Sequence, residues 1–206
     1  SDLRNLLTSI KEGDVIFLNE DIDIINLILR DFVPKLIIPV VPVHLLARII
    51  ELRLKENDIN LKLDTITTKN VTLNLNKDIL LNSIPERGVI YLSYAKENEI
   101  CPDNCNGPEN YCSTLNREKP VTITKYLQDF FNLNNVIEIN REKQEVDILL
   151  ESKQLKAGLG GLVGKDFKKI FNSIEKHIEF FKSKNFNFVI GTSCNCHGVV
   201  NFFKKD

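Results

Sequence analysis

The sequence predicts an α/β protein with a mostly parallel sheet and helices on both faces of that sheet. Stretches with an apolar residue at every third or fourth position, typical of amphipathic helices, alternate with short continuous apolar stretches, typical of strands covered on both sides. This alternation is clearest over residues 1–63, and strands joined by helical crossovers run parallel. With 43% hydrophobic and 27% charged residues, the composition is that of an ordinary globular protein.

The first part of the chain contains three predicted helices and three predicted strands, in strict alternation from a helix. In chain order they cover residues 3–10, 15–18, 22–32, 36–41, 45–54 and 59–63. We expect residues 1–82 to form a Rossmann-like half and residues 83–206 a second α/β half, or both to form one continuous domain.

Beyond residue 65 the pattern changes. The alternation of Val71, Leu73 and Leu75 with polar residues predicts a half-exposed strand. Further strands are predicted over residues 89–94, 136–139, 146–150 and 186–190, and helices over residues 125–131, 167–181 and 198–203. We expect Thr122 or Thr124 to cap the first of these helices. Residues 96–121 show no periodicity, and so long an irregular stretch in a compact domain is typically functional or disordered.

Charge and hydropathy exclude several classes of protein. The formal net charge is −1 and no basic stripe is present, which argues against a nucleic-acid partner. No apolar stretch has the length of a membrane span, and the N-terminus lacks a signal-peptide pattern. We therefore expect a cytoplasmic protein whose partners are a small-molecule ligand or a redox partner protein.

The five cysteines fall into two groups, and this clustering is the strongest functional signal. Cys101, Cys105 and Cys112 lie together in CPDNCNGPENYC, and Cys194 and Cys196 lie in SCNCHG. Cytosolic thiols stay reduced, so close groups of thiols more often bind metal than form a disulfide framework. Three ligands from a loop and one from a second segment is a common way to complete a four-thiolate site.

The second group adds His197, which adjoins Cys196. We expect these residues to lie in a turn between a strand and a final helix over residues 198–203, where the helix N-terminus would stabilise thiolate charge. The cysteines and His197 are six candidate ligands for a site that needs four, so one of Cys194, Cys196 and His197 would be spare.

The metal is predicted to be an iron–sulfur cluster, with zinc as the alternative. The spacings C-x3-C, C-x6-C and C-x-C match neither the common zinc knuckles nor the common ferredoxin runs, although proline after cysteine is familiar beside clusters. A further interpretation, that the cysteines are small buried apolar residues, explains the polar loop around Cys101 poorly.

The segment AGLGGLVGKDF predicts a flexible glycine loop between a strand and a helix. Such a loop can approach an anion closely, so it is a candidate anion or nucleotide site, although it departs from both the P-loop and the dinucleotide fingerprint. The alternative is a loop that serves only the turn of the chain. The candidate residues are Gly158, Gly160, Gly161, Gly164 and Lys165.

His44 is a candidate for a ligand pocket, because it follows a predicted buried strand and begins a helix. The alternative is a partly exposed histidine at a helix start, without a ligand.

The combination of CPDNC, a glycine-rich segment and a terminal CNCHG resembles a family of uncharacterised prokaryotic proteins with a CPxxC loop and a C-terminal CxCHG motif. The likeness covers roughly residues 36–203. It supports a site at the cysteines and implies no activity.

Three functions are compatible with these observations. The chain is predicted to be a metalloprotein with an iron–sulfur cluster, serving as a redox or cluster-dependent enzyme. The alternatives are an α/β ligand-binding or regulatory module with a structural zinc site, and a nucleotide-dependent enzyme that uses the glycine loop.

Overall fold

The computed structural model describes residues 2–206, with side chains from Arg4 onward, and contains seven α-helices and eleven strands in that part of the chain. The helices are α1 (Asp2–Ser9), α2 (Ile24–Asp31), α3 (Leu45–Lys55), α4 (Thr65–Asn74), α5 (Ile123–Phe130), α6 (Gly164–Lys176) and α7 (Ile178–Ser183). The strands are β1 (Leu36–Ile37), β2 (Leu61–Leu63), β3 (Leu80–Ile84), β4 (Val89–Ser93), β5 (Tyr111–Cys112), β6 (Arg117–Glu118), β7 (Ile137–Asn140), β8 (Glu145–Lys156), β9 (Leu159–Val163), β10 (Asn187–Ser193) and β11 (His197–Lys205).

Nine of these strands form one sheet in the order β1-β9-β8-β10-β11-β4-β3, with β7 paired to β8 and β2 paired to β11. Each of the two long strands pairs with two shorter strands in succession along its length. Strand β8 pairs first with β7 and then with β9, and β11 pairs first with β4 and then with β2. Strands β5 and β6 form a separate short hairpin. One continuous sheet thus joins strands from both sides of the predicted boundary at residue 82.

Helices cover both faces of the sheet, because its central strands alternate buried side chains between two apolar cores. Along β10, Phe188 and Ile190 face the core shared with α2, α3, α6 and α7. Val189 faces the opposite core, where Ile123 and Leu127 of α5 pack. The aromatic side chains of α7 and β10 meet edge to face, with the ring centroids of Phe181 and Phe188 5.6 Å apart.

The α/β class is confirmed, but the prediction of a mostly parallel sheet is wrong. Among the described strands, β8 and β10 form the one parallel pair, and every other pairing is antiparallel. The chain moves between neighbouring strands through short turns, at β3–β4, β8–β9 and β10–β11, and short turns join antiparallel strands. The Rossmann-like half also does not form, since β1 and β2 pair with β9 and β11 instead of with each other.

Three predicted elements take a different conformation. Residues 15–18 lie outside any strand with the side chains of Val15 and Phe17 exposed. Val71 and Leu73, predicted on a strand, belong to α4, which the Asp64 carboxylate caps by accepting from the Thr67 N–H at 3.0 Å. Residues 198–203 form β11 instead of a helix, because their valines and phenylalanines can pair with strands on both sides.

Other elements agree with the sequence pattern. The predicted helices at residues 45–54 and 125–131 are α3 and α5, and the Thr122 hydroxyl caps α5 by accepting from the Lys125 N–H at 3.1 Å. The predicted helix over residues 167–181 is present as α6 and α7, with a break at His177. No helix in residues 2–206 combines the length and the apolarity that a bilayer crossing demands.

Candidate functional site

The thiol-rich region lies at the edge of the sheet where β4 and β10 end. Ser93, the last residue of β4, pairs with His197, and Ser193, the last residue of β10, pairs with Gly198. The two strands that flank β11 therefore end side by side. As a result, the cysteine loop (residues 96–121) and the β10–β11 turn (residues 194–196) leave the sheet at the same place.

An ion pair closes the base of the cysteine loop. The Arg117 guanidinium donates to both Glu99 carboxylate oxygens at 2.8 Å and also to the Tyr94 carbonyl oxygen. Arg117 pairs with Cys112 in the β5–β6 hairpin, so this contact also fixes the position of the buried Cys112 thiol.

The glycine-rich segment holds the other end of the cysteine loop. The Gly158 N–H donates to the Cys105 carbonyl oxygen at 3.0 Å, and the Gln154 side-chain amide donates to the same oxygen at 2.5 Å. The hairpin and the cysteine loop approach each other so closely that a Cβ atom on Gly158 would lie 1.6 Å from the Asp103 carbonyl oxygen. Gly158 adopts φ +75°, a conformation that favours glycine.

These contacts change the interpretation of the predicted anion site. The predicted strand–loop–helix is a β-hairpin: Gly160 and Gly161 lie in β9 and pair with β8, whereas Gly164 and Lys165 begin α6. A Cβ atom on Gly164 would lie 1.8 Å from the Pro34 carbonyl oxygen, so this glycine allows close packing of the chain. Gly158 and Gly160 nevertheless line the same cavity as the cysteines.

Hydrogen bonds from three elements fix the β10–β11 turn. The Cys194 N–H donates to the His197 carbonyl oxygen at 2.8 Å, and the Tyr94 N–H donates to the Cys196 carbonyl oxygen at 3.1 Å. The first N–H groups of α5 also donate here, that of Ile123 to Asn195 at 3.2 Å. A helix N-terminus therefore does face the turn, but it belongs to α5 and not to a helix that follows the turn. Its N–H groups donate to backbone carbonyl oxygens, whereas we expected them to stabilise thiolates.

All five cysteines and His197 line one cavity of about 530 Å³. The His197 imidazole lies between two thiols: Nδ1 is 3.8 Å from the Cys194 sulfur and Nε2 is 4.0 Å from the Cys101 sulfur. In the part of the chain that the structure describes, no group of three or more His, Cys, Asp or Glu side chains is arranged to hold a single metal ion. The thiols surround the cavity and do not meet at one point.

The thiols differ in how their surroundings affect ionisation. Burial is the main reason that the pKa of Cys101 is raised, and three neighbouring thiols raise it further, those of Cys105, Cys112 and Cys196. Burial also acts to raise the pKa of Cys194, but hydrogen bonds from His197 and from the N–H groups of residues 196 and 197 outweigh it, so that pKa is lowered.

Sequence reasoning missed Lys119, a buried lysine at the wall of the cavity. Its side chain is 1% exposed, and its ammonium donates to the Cys196 sulfur at 3.0 Å. Burial is the main reason that the pKa of Cys196 is raised, against the opposing effect of this ammonium. Nothing in the local sequence distinguishes Lys119 from the many surface lysines except that it follows Cys112 closely.

His44 lies on the wall of a separate cavity of about 460 Å³. Its Nδ1 donates to the Asn201 side-chain oxygen at 2.7 Å, and its Nε2 accepts from the Thr192 hydroxyl at 3.1 Å. Burial lowers the pKa of His44 to about 4, against the opposing effect of the Asn201 hydrogen bond. Both ring nitrogens are used, so His44 holds β10 and β11 together.

Comparisons with known proteins identify the family. The model of a family described as "Uncharacterized protein, C-terminal domain" matches residues 46–206, a range that includes every residue lining the thiol cavity. An uncharacterized protein of Archaeoglobus fulgidus is 26% identical over 199 residues, which cover 97% of this chain and 78% of that relative. No solved structure matches the chain. The match over residues 46–206 shows that the chain belongs to this family of uncharacterized proteins, so the expected membership of an uncharacterised family is confirmed.

Proposed function

We propose that the thiol cavity holds an iron–sulfur cluster and that the protein uses this cluster in a redox or cluster-dependent reaction. The observation that carries the proposal is the convergence of all five thiols, from two distant segments, on one cavity. Soft thiolate ligands from two segments are the usual protein environment of such clusters.

The proposed ligands are Cys101, Cys105, Cys112 and Cys196. The thiols of the last three influence the ionisation of Cys101, so each of them is close enough to Cys101 to interact with it. Cys194 is the spare thiol in this proposal. Its sulfur already accepts hydrogen bonds from the backbone at residues 196 and 197, and it lies beside the His197 imidazole.

The distribution of the thiols favours a cluster over a single zinc ion. A tetrahedral zinc ion with bonds of about 2.3 Å requires four sulfurs within roughly 4 Å of one another. The thiols of this cavity surround it without meeting at one point. Cysteines that each bind a different iron atom suit that spread better, because the cluster itself fills the space between them.

Two neighbouring cavities support a reactive role over a purely structural one. Cavities of about 490 and 380 Å³ adjoin the thiol cavity, and His197 lines all three. Cavities of this volume accommodate small-molecule ligands. A metal that only stabilised the loop would need no such space beside it.

Anaerobic reconstitution with iron and sulfide, followed by metal analysis and visible spectroscopy, tests the proposal. We expect a brown protein whose broad visible absorbance is bleached by dithionite and whose iron and sulfide contents are equal. Serine variants of the four proposed ligands should lose most of the iron, and Cys194→Ser, the matched control, should retain it. A colourless protein with one equivalent of zinc would overturn the cluster and favour the structural zinc site.

A further inference from the structure

Lys119 is a buried lysine, and lysine side chains are seldom fully buried in proteins unless they are paired. Its side chain is 1% exposed and lines the thiol cavity. Removing an ammonium from water costs several kcal/mol unless anionic or hydrogen-bonding partners replace the water. The charge of Lys119 therefore requires compensating groups nearby.

The partners of Lys119 in the protein are few. Its ammonium donates to the Cys196 sulfur at 3.0 Å and lies 5.8 Å from the centre of the Tyr94 ring. Among the side chains that the structure describes, no carboxylate lies within 4.0 Å of it, and no second acceptor of its N–H groups is present. Two of the three N–H groups are thus available at the cavity wall.

We propose that Lys119 is the counter-ion of the bound cluster and that its charge raises the reduction potential of that cluster. This inference rests on the proposed function. Four thiolates and the inorganic sulfides make a cluster an anionic group, and Lys119 already contacts one of the proposed ligands. A cation at this position compensates that negative charge inside a buried site.

The effect on reduction follows from the change in charge. Reduction adds one electron from an external reductant, such as dithionite or a redox protein, and converts one ferric iron into ferrous iron. No bond forms or breaks, and no proton is required. The reduced cluster carries one more negative charge, so the Lys119 ammonium stabilises it more than it stabilises the oxidised cluster. Hydrogen bonds to cluster sulfurs act in the same direction.

The test compares the reduction potentials of reconstituted wild-type protein, Lys119→Met, Lys119→Gln and Lys119→Arg. Lys69→Met, which removes an exposed lysine of α4, is the control. Iron and sulfide analysis first establishes that each protein holds a cluster, and a potentiometric titration with dithionite then gives its potential. We expect each neutral variant to shift the reduction equilibrium at least tenfold toward the oxidised form, which is about 59 mV for one electron. Lys119→Arg should shift it by less than half of that, and Lys69→Met should leave it unchanged.

The other outcomes of this experiment also support or overturn the proposed role of Lys119. A neutral variant with a full cluster and an unchanged potential would overturn the proposal. If neither neutral variant takes up a cluster while Lys119→Arg does, a requirement for positive charge is supported. If all three Lys119 variants failed to take up a cluster, the proposal would be overturned, because arginine restores the positive charge. A wild-type protein without any cluster would instead refute the proposed function, independently of Lys119.

Discussion

The cysteine loop and the β10–β11 turn supply thiols to the same cavity but are held in different ways. Within the loop, which the structure describes in full, only Cys112 and Lys119 are buried, and neither is a large apolar side chain. The turn instead joins two central strands that pair over seven residues, from Asn187 with Lys204 to Ser193 with Gly198. The turn is therefore positioned by the sheet, whereas the loop depends on a few hydrogen bonds and, in our proposal, on the metal.

Removal of the metal should separate these two regions most clearly. Metal affinity would contribute to the order of the loop, because the loop has almost no apolar core of its own. On chelation under reducing conditions we expect amide protection in residues 96–121 to fall on the order of 100-fold, and that in residues 187–205 by less than about tenfold. Hydrogen exchange read by mass spectrometry measures both. Cys101→Ser and Cys105→Ser should show an open loop before chelation, and equal losses in both regions would contradict the comparison.

The strands that carry the turn depend on His44, and this makes their stability sensitive to pH. The pKa of His44 is about 4 in the folded protein and about 6.5 when unfolded, so the unfolded chain takes up the proton first as the pH falls. The contribution of His44 is fully present above pH 6.5 and is lost on the way down to pH 4. The shift corresponds to roughly 3 kcal/mol of unfolding free energy.

Denaturant unfolding at pH 7 and pH 4, on wild-type protein and His44→Gln, measures this contribution. The two proteins share every other titrating group, including Asp147, whose pKa burial raises to about 7. The difference between their pH dependences therefore isolates His44. Equal pH dependences would mean that His44 is not buried in its neutral form as we infer.

The attachment of the loop can be tested at two glycines of the same hairpin. Gly158→Ala places a side chain on a residue with positive φ and against the Asp103 carbonyl, so the loop must move. We expect a loss of about 2 kcal/mol in stability and a clear loss of metal. Gly161→Ala is the matched control, because its Cβ would meet the end of the flexible Leu155 side chain at 2.9 Å, and we expect a change within about 0.5 kcal/mol.

Thermal unfolding and iron content, measured on both glycine variants, distinguish the two interpretations of the segment. If Gly161→Ala lost metal as severely as Gly158→Ala, the segment would serve the site in a way that loop attachment does not explain.

The sequence indicates which reactive side chains lie together better than it predicts the pairing of the strands. Clustering of reactive residue types is visible in the linear sequence, so the six candidate ligands could be named and are indeed found around one cavity. Strand direction depends on which segments pair, and short apolar stretches such as residues 15–18 and 198–203 do not encode their partners.

The roles of the glycines and of Lys119 also depend on contacts between distant segments, which the sequence does not show. Glycines at 158 and 164 suit a phosphate cradle and a close chain contact equally well, and only the position of Asp103 and Pro34 decides between them. Lys119 could not be singled out, because its role depends on burial and on a cysteine far away in the chain.

The smallest expected effect concerns Arg117, which joins the two ends of the cysteine loop. Arg117→Lys keeps the positive charge but cannot reproduce the paired hydrogen bonds to Glu99 together with the bond to the Tyr94 carbonyl. The ion pair is about one third exposed on each side, so solvent weakens it, and we expect metal affinity to fall only roughly two- to fivefold. Arg87→Lys, an exposed arginine outside the loop, is the control and should leave the affinity unchanged. Competition with a chelator of known affinity measures both variants. A loss far above tenfold would show that this ion pair organises the loop before metal binds. The loop, like the turn, would then be positioned by contacts within the protein.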